Sequence, residues 1–423
     1  MRHILLMAAA VGLVLAAAAA GAPAQAQEPK PPENWPRFLG PNGRAVVQGV
    51  TFPATWTNAD YAWTADLPGG GHSSAVVWGD RLFITSGDQK TATRTIQCYR
   101  AAEGTLVWTK AYSGSPCRQN SLNAYAATTP ALDAERLYVS WASPERYIVV
   151  ALTHAGDEVW RLDLGPWKSQ HGYGQSPMVV GDTVILTNDQ QGPSFIVALD
   201  AATGKMRWKA GRPGKEKAAY AVPCLFQPPT GSPYLIVMSK AAGVAGLDPA
   251  TGRQLWQVPD AMPERVVSSP TLAGDLVLGT CGTGGRGRHV VAVRPPALPG
   301  GQAEVAWTVT KNAPYVPTSI WHKGRVLLWS DKGVVSCVKA DSGDVIWSER
   351  LGGGTYYASP ILVGDKVYNT STKGKMVVLK MGDAFERLGD VDLGEKCHAT
   401  PAVAGGRMFL RTWSRLMCLP AEK

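Results

Sequence analysis

Beyond its first twenty residues the chain has no apolar run near the ~18 residues that a helical membrane span requires, which excludes a multispanning helical membrane protein. Sustained helical periodicity is missing as well, and with it helix bundles and helical solenoids. There is no Walker A motif, no H-E-x-x-H and no G-x-S-x-G, so nucleotide, zinc-protease and serine-hydrolase chemistry have no carrier. GTGGRG at 282–287 matches G-x-G-x-x-G formally, but it lies between two strands and opens no helix, and it reads as a hairpin loop. The seven cysteines contain no C-x-x-C, and their odd number leaves at least one thiol unpaired. Cys98, Cys337 and Cys418 read as small core residues; Cys117, Cys281 and Cys397 leave a disulfide open. The formal charge is +9, yet Lys and Arg are scattered and no nucleic-acid motif accompanies them. That excess is a solvated surface property, and no nucleic-acid partner is expected.

The single long apolar run, ILLMAAAVGLVLAAAAA, follows Arg2 and His3 and precedes GAPAQAQ. This order is that of a signal peptide, residues 1–26, with small residues at Ala24 and Ala26 for cleavage; an uncleaved anchor is the alternative. No cysteine stands nearby to take a lipid. The mature chain is therefore expected outside the cytoplasm, periplasmic or extracellular, as a monomer without a transmembrane segment. Residues 27–54 form an N-terminal extension and 55–423 a single domain.

What the chain has in abundance is one phrase. ALDAATGKMRW (198–208) is echoed by CYRAAEGTLVW, ALTHAGDEVW, GLDPATGRQLW and CVKADSGDVIW, each a strand, a Gly-containing turn and a strand reaching Trp. A second phrase leads each unit, as in SPMVVGDTVIL (176–186), SPTLAGDLVLG and SPILVGDKVYN, and reads as a hairpin of two buried strands. Trp63, Trp108, Trp160, Trp208, Trp256, Trp307 and Trp347 are 40 to 52 residues apart, which is the spacing of propeller blades. Unit starts near 72, 126, 175, 219, 267, 315, 357 and 398 give eight. The last unit lacks its Trp strand, and TWTNADYAWTADL (55–67) is a Trp strand without the other three. The expected fold is therefore all-β: an eight-bladed propeller of four-stranded antiparallel blades, its last blade closed by an N-terminal strand. Each Trp is expected to cover the seam to a neighbouring blade, with a weaker contact in blade seven, where MGDAFERLGDVDLG has none.

The A-x-D-x-x-T-G-x-x-x-W phrase, intact at 198–208, resembles the pyrroloquinoline-quinone (PQQ) type propeller repeat, and NWPRFLGPNGRAV (34–46) resembles the opening of secreted bacterial members. The resemblance covers nearly all of the mature chain and implies one of two branches. The BamB-like branch, a component of outer-membrane protein assembly, uses the ring for protein contacts. Quinoprotein dehydrogenases hold PQQ and Ca²⁺ on the axis. This chain lacks the adjacent cysteine pair, C-x-x-C-H and long insertions of the dehydrogenases, and it lacks the lipid-attachment cysteine of the other branch. The expectation is a non-catalytic envelope-binding propeller with no cofactor, partnered by an envelope protein or extracytoplasmic ligand; the alternative is a PQQ- and Ca²⁺-dependent dehydrogenase.

Just before the innermost strands, His72, Tyr220, Tyr357 and His398 share a repeat phase, with Tyr125, Tyr173, Arg265, Tyr315 and Tyr356 within a residue or two. These side chains are expected around one mouth of the central channel, either as a ligand or partner site or simply as filling for a wide axis. Two histidines with no carboxylate at their phase do not make a metal site.

Overall fold

The computed structural model describes residues 30–214, 217–284, 286–298 and 300–422; the expected signal peptide lies outside them. Among the described residues eight sheets follow one another along the chain, seven of four strands and one of five. Blade 3 shows how the sequence makes one: Met178–Val180, Thr183–Asn188, Ser194–Asp200 and Met206–Arg212, antiparallel and ordered from the axis outward. Its two middle strands are buried along their length, because neighbouring blades cover both faces. The outermost strand alternates, with Trp208 buried between exposed residues. The first hairpin turns at Gly181, whose φ of 56° suits a residue without a Cβ.

Before the outer turn the register shifts between Ala198 and Leu199, and the same bulge recurs at Cys98/Tyr99, Gly246/Leu247, Ala292/Val293 and Cys337/Val338. The residue paired with each Trp is small: Cys98 with Trp108, Ala151 with Trp160, Ala198 with Trp208, Cys337 with Trp347. That explains the core thiols. All seven cysteines are free, and burial pushes Cys98 and Cys418 up to about 12.

Each indole reaches the next blade. Trp63, Trp108, Trp160, Trp208, Trp307 and Trp347 donate to the carbonyls of Ala101, His154, Ala201, Pro249, Ala340 and Gly382, at 2.9–3.2 Å. A glycine in the receiving turn makes room: a Cβ on Gly204 would stand 2.6 Å from the Trp160 ring. Trp256 departs from this pattern, lying on Gly246 of its own blade with its Nε1 buried and unpartnered.

The Ser/Thr that opens the second phrase stitches the blades nearer the axis. The backbone N–H of Thr129 donates to Ser176 Oγ, Ser269 to Thr318, Thr318 to Ser359 and Ser359 to Thr400, at 2.9–3.0 Å. The ring closes as expected, with Trp63–Asp66 pairing antiparallel to Arg415–Pro420 in blade 8.

Two findings depart from the sequence reading. Segment 27–54, set apart there as an extension, belongs to the propeller from Pro32 onward. Its Pro32 carbonyl accepts from Gly405 in blade 8, Trp35 bridges Val77 in blade 1, and the Pro36 carbonyl accepts from Leu132 in blade 2. Arg37 reaches Met178 and Pro223 in blades 3 and 4, and Asn42 exchanges hydrogen bonds with Leu225. Val46–Val47 then adds a parallel fifth strand to Ile361–Val363, the innermost strand of blade 7. The segment therefore stops one end of the axis.

The second departure is the seam of blade 7. Gly389 stands at the Trp position opposite Val378, and the extension crosses there: a Cβ on Gly389 would lie 2.4 Å from the Ala54 carbonyl oxygen. Phe52 and Trp56 are buried between blades 7 and 8, with the Phe52 carbonyl accepting from Tyr368 and Lys366. The seam lacking its own Trp is filled by Phe52 of the extension and by Trp56 just after it.

Candidate functional site

The end of the axis opposite the extension is built by the connections that enter each blade. The eight residues two positions before the Ser/Thr phase all face a chamber of about 760 Å³. Four are His72, Tyr220, Tyr357 and His398; the equivalents in the other blades are Ala127, Gly174, Val267 and Val316, whose small size leaves the volume open. Arg265 and Tyr315 join the wall. Phe38, on the extension, also lines the chamber, so a segment from one end of the axis floors the site at the other.

One wall is aromatic. The His72 and His398 rings stack at 4.3 Å with 18° between planes, Tyr357 meets His398 edge-on at 5.3 Å, and Trp413 lies 5.3 Å from His72 beneath the Lys396 ammonium. Gly70 is needed here, because a Cβ would overlap the Trp413 indole. Burial, the neighbouring His398, Arg411 and Lys396 push His72 down to about 2. Burial and Lys396 push His398 down to about 4, so both are neutral near pH 7. His72 Nδ1 has no hydrogen-bond partner.

The opposite wall is cationic. Arg265 donates to Gln170 Oε1 at 2.7 Å, to Tyr315 OH at 3.5 Å and to His171. Asp331 accepts from the backbone N–H groups of Tyr315 and Val316 at 2.7 and 3.2 Å and lies 3.8 Å from Arg288; burial raises its carboxyl above the ordinary value. Tyr220 donates to or accepts from Ser169 at 2.6 Å, and burial pushes its phenol up to about 12. Lys217 is paired with Glu264 at 2.7 Å, and Lys332 stands exposed at the rim.

The connections into blades 2 and 3 cover part of the opening. Asn120 meets His171 at 3.0 Å, and Asn123 donates to the His171 carbonyl at 2.7 Å. Through Gln170 and His171 this strap reaches Arg265 on the far side.

Three residues of the expected set turn away. Tyr125 packs under Arg94 and exchanges hydrogen bonds with the Cys117 backbone; Tyr173 is buried against Trp167 and Tyr147 with its OH on Ser140; Tyr356 packs on Trp329. Each fills a seam instead of the channel. Conversely, Arg288, Asp331, Lys332, Gln170, His171 and Phe38 line the chamber without a sequence signal at the repeat phase. The strap had one trace: Trp108 and Trp160 are 52 residues apart, the widest spacing of the set. GTGGRG falls at the hairpin of blade 5 as read, with Thr283 and Gly284 on the chamber wall.

A Ca²⁺-bound quinone would need several oxygen ligands, since Ca²⁺ takes six to eight. Asp331 is the chamber's one carboxylate and its oxygens are held by two amides, while no group of three or more His, Cys, Asp or Glu suited to a metal occurs among the described residues. The donor set does not fit that ion.

A polyvinylalcohol dehydrogenase from Pseudomonas sp is 28% identical over 172 residues, covering 37% of this chain and 25% of that protein, so the chain spans a quarter of that relative's length. Among solved structures, BamB from Moraxella catarrhalis superposes with a TM-score of 0.58 at 12% identity, over 85% of this chain and 96% of that one. The quinohemoprotein alcohol dehydrogenase from Comamonas testosteroni gives 0.64 at 13% identity, over 91% and 80%. At such identities the likeness is one of fold. The sequence model of outer membrane protein assembly factor BamB matches residues 55–211, 145–297, 301–386 and 331–419, nearly the whole wheel, and the chain belongs to that family of propellers.

Proposed function

We propose that the protein is a non-catalytic propeller of the bacterial cell envelope, exported by its N-terminal segment, which binds an envelope protein or extracytoplasmic ligand at the strapped mouth of its axis. The observation that carries this reading is the chemistry of the chamber: it is floored at Phe38, it converges aromatic rings and cations, and it has no pair of groups set for proton transfer. Its carboxylate is tied to backbone amides, and its stacked histidines are pushed down to about 2 and about 4, far from the neutral range where a general base works best.

The second reading, a quinoprotein oxidoreductase, is favoured by the similarity to polyvinylalcohol dehydrogenase and opposed by the Ca²⁺ donor set. Purified protein mixed with PQQ and Ca²⁺ separates the two. The expected result is no alcohol-dependent dye reduction; turnover would replace the binding reading. On the binding side, capture of an envelope protein by wild type is expected to be lost in a His72→Ala/His398→Ala variant that keeps its cooperative melting.

A further inference from the structure

We propose that the chamber binds a small organic anion, its carboxylate or phosphate group held by the guanidinium groups of Arg265 and Arg288. Arg265 is 5% exposed, and its hydrogen-bond partners, Gln170, His171 and Tyr315, are all uncharged. Burial beside Arg265 holds His171 below its ordinary pKa, which favours the neutral imidazole as a partner for the guanidinium. Arg265 Nε is buried and has no partner at all. A guanidinium withdrawn from water without an opposing charge is expensive, and a ligand that supplies the charge removes the cost.

Arg288 repeats the situation on the same wall. Its Nε is also buried without a hydrogen bond, and the nearest carboxylate, Asp331 at 3.8 Å, is already engaged by two amides. Gly282 lets the two sites approach: a Cβ there would stand 3.0 Å from Arg288 Cγ and 3.1 Å from Tyr315 Cβ, and the Gly282 N–H donates to the Arg265 carbonyl. Besides Lys217, which is paired with Glu264, three cations among the described lining residues stand beside one committed carboxylate. Planar guanidinium forks suit a carboxylate or phosphate oxygen pair.

The chamber's size limits the ligand. About 760 Å³ lies within the range that encloses a small molecule, with Phe38 of the extension among the residues that line it. The anion's body would lie against Tyr357 and the stacked histidines across the chamber. The inference rests on the reading of this chamber as the binding site, but not on the identity of any envelope partner.

Titration calorimetry with benzene-1,3,5-tricarboxylate, phenyl phosphate and the uncharged benzene-1,3,5-tricarboxamide tests it. At least one of the two acids should bind while the triamide does not, and the better acid identifies the head group. Arg265→Gln should weaken that acid at least ~10-fold, the ~1.4 kcal/mol equivalent of one charge-assisted contact. Lys332→Glu, at an exposed position that does not endanger folding, should weaken it as well and steepen with lower salt. Failure of both acids to bind wild type, equal binding of the triamide, or unchanged affinity in both variants would overturn the proposal. Acid binding without capture of an envelope protein would sink the partner reading alone, whereas capture without acid binding would sink the anion alone.

Discussion

The Trp208 indole sits over Gly252 of the following blade and donates to the Pro249 carbonyl, so Trp208→Ala removes a buried ring and a cross-blade hydrogen bond together. Denaturant unfolding should record a loss of about 3–5 kcal/mol. At the chamber wall the relevant single residues are His72 and His398. Both are held neutral when folded and have ordinary pKa values when unfolded, so below the unfolded value near 6.5 the unfolded chain binds more protons. Their contribution is therefore intact above about pH 6.5 and is lost as pH falls toward the folded values, about 4 for His398 and about 2 for His72. Melting temperatures should drop between pH 7 and 4, and a His72→Gln/His398→Gln variant should show a shallower drop than wild type. An equal drop in both would place the acid sensitivity elsewhere.

Among elements, the extension has the widest reach, touching blades 8, 1, 2, 3, 4 and 7 before it reaches Trp63. Its Arg37 guanidinium is fully enclosed, and burial pushes it down to about 10. The crossing at Gly389 gives a sharp test, because the repeat pattern alone would place a tryptophan there. Gly389→Trp should destabilise the protein by at least ~1–3 kcal/mol, since the ring would collide with Ala54 and Thr55; a stabilised variant would show that the extension does not cross at this point. Removing residues 30–47 should strip the fifth strand from blade 7 and open the floor at Phe38. Protease digestion of that variant should begin in blade 7, where Ile361–Val363 is left with an unpaired edge.

For the whole molecule, the pairing of Trp63–Asp66 with Arg415–Pro420 joins the two ends of the wheel, so unfolding should be a single transition. Truncation after Ser414 removes that partner strand, and calorimetry should then show broadened or multiple transitions; a single transition of undiminished enthalpy would show that closure is dispensable. Blade number and closure were legible because Trp, Gly turns and Ser/Thr-Pro openings recur at local spacing, and each local signal agrees with the ring. The extension's place was not legible: NWPRFLGPNGRAV gains its partners far along the chain, at Val77, Leu132, Met178, Pro223 and Leu362. The chamber was half legible. Phase fixed the direction of His72, Tyr220, Tyr357 and His398; off that phase it decided nothing, since Arg265 and Tyr315 line the chamber while Tyr125, Tyr173 and Tyr356 do not, and Asp331 and Lys332 come from a hairpin that the repeat does not mark.

The stopper formed by Pro32–Val47 carries an implication for synthesis order. These residues precede Leu132, Leu362 and Gly405 in the chain, and those later residues receive or hold them. Its last contact, at Gly405, can form only once blade 8 has been made, so the segment's full seating follows the blades it closes over.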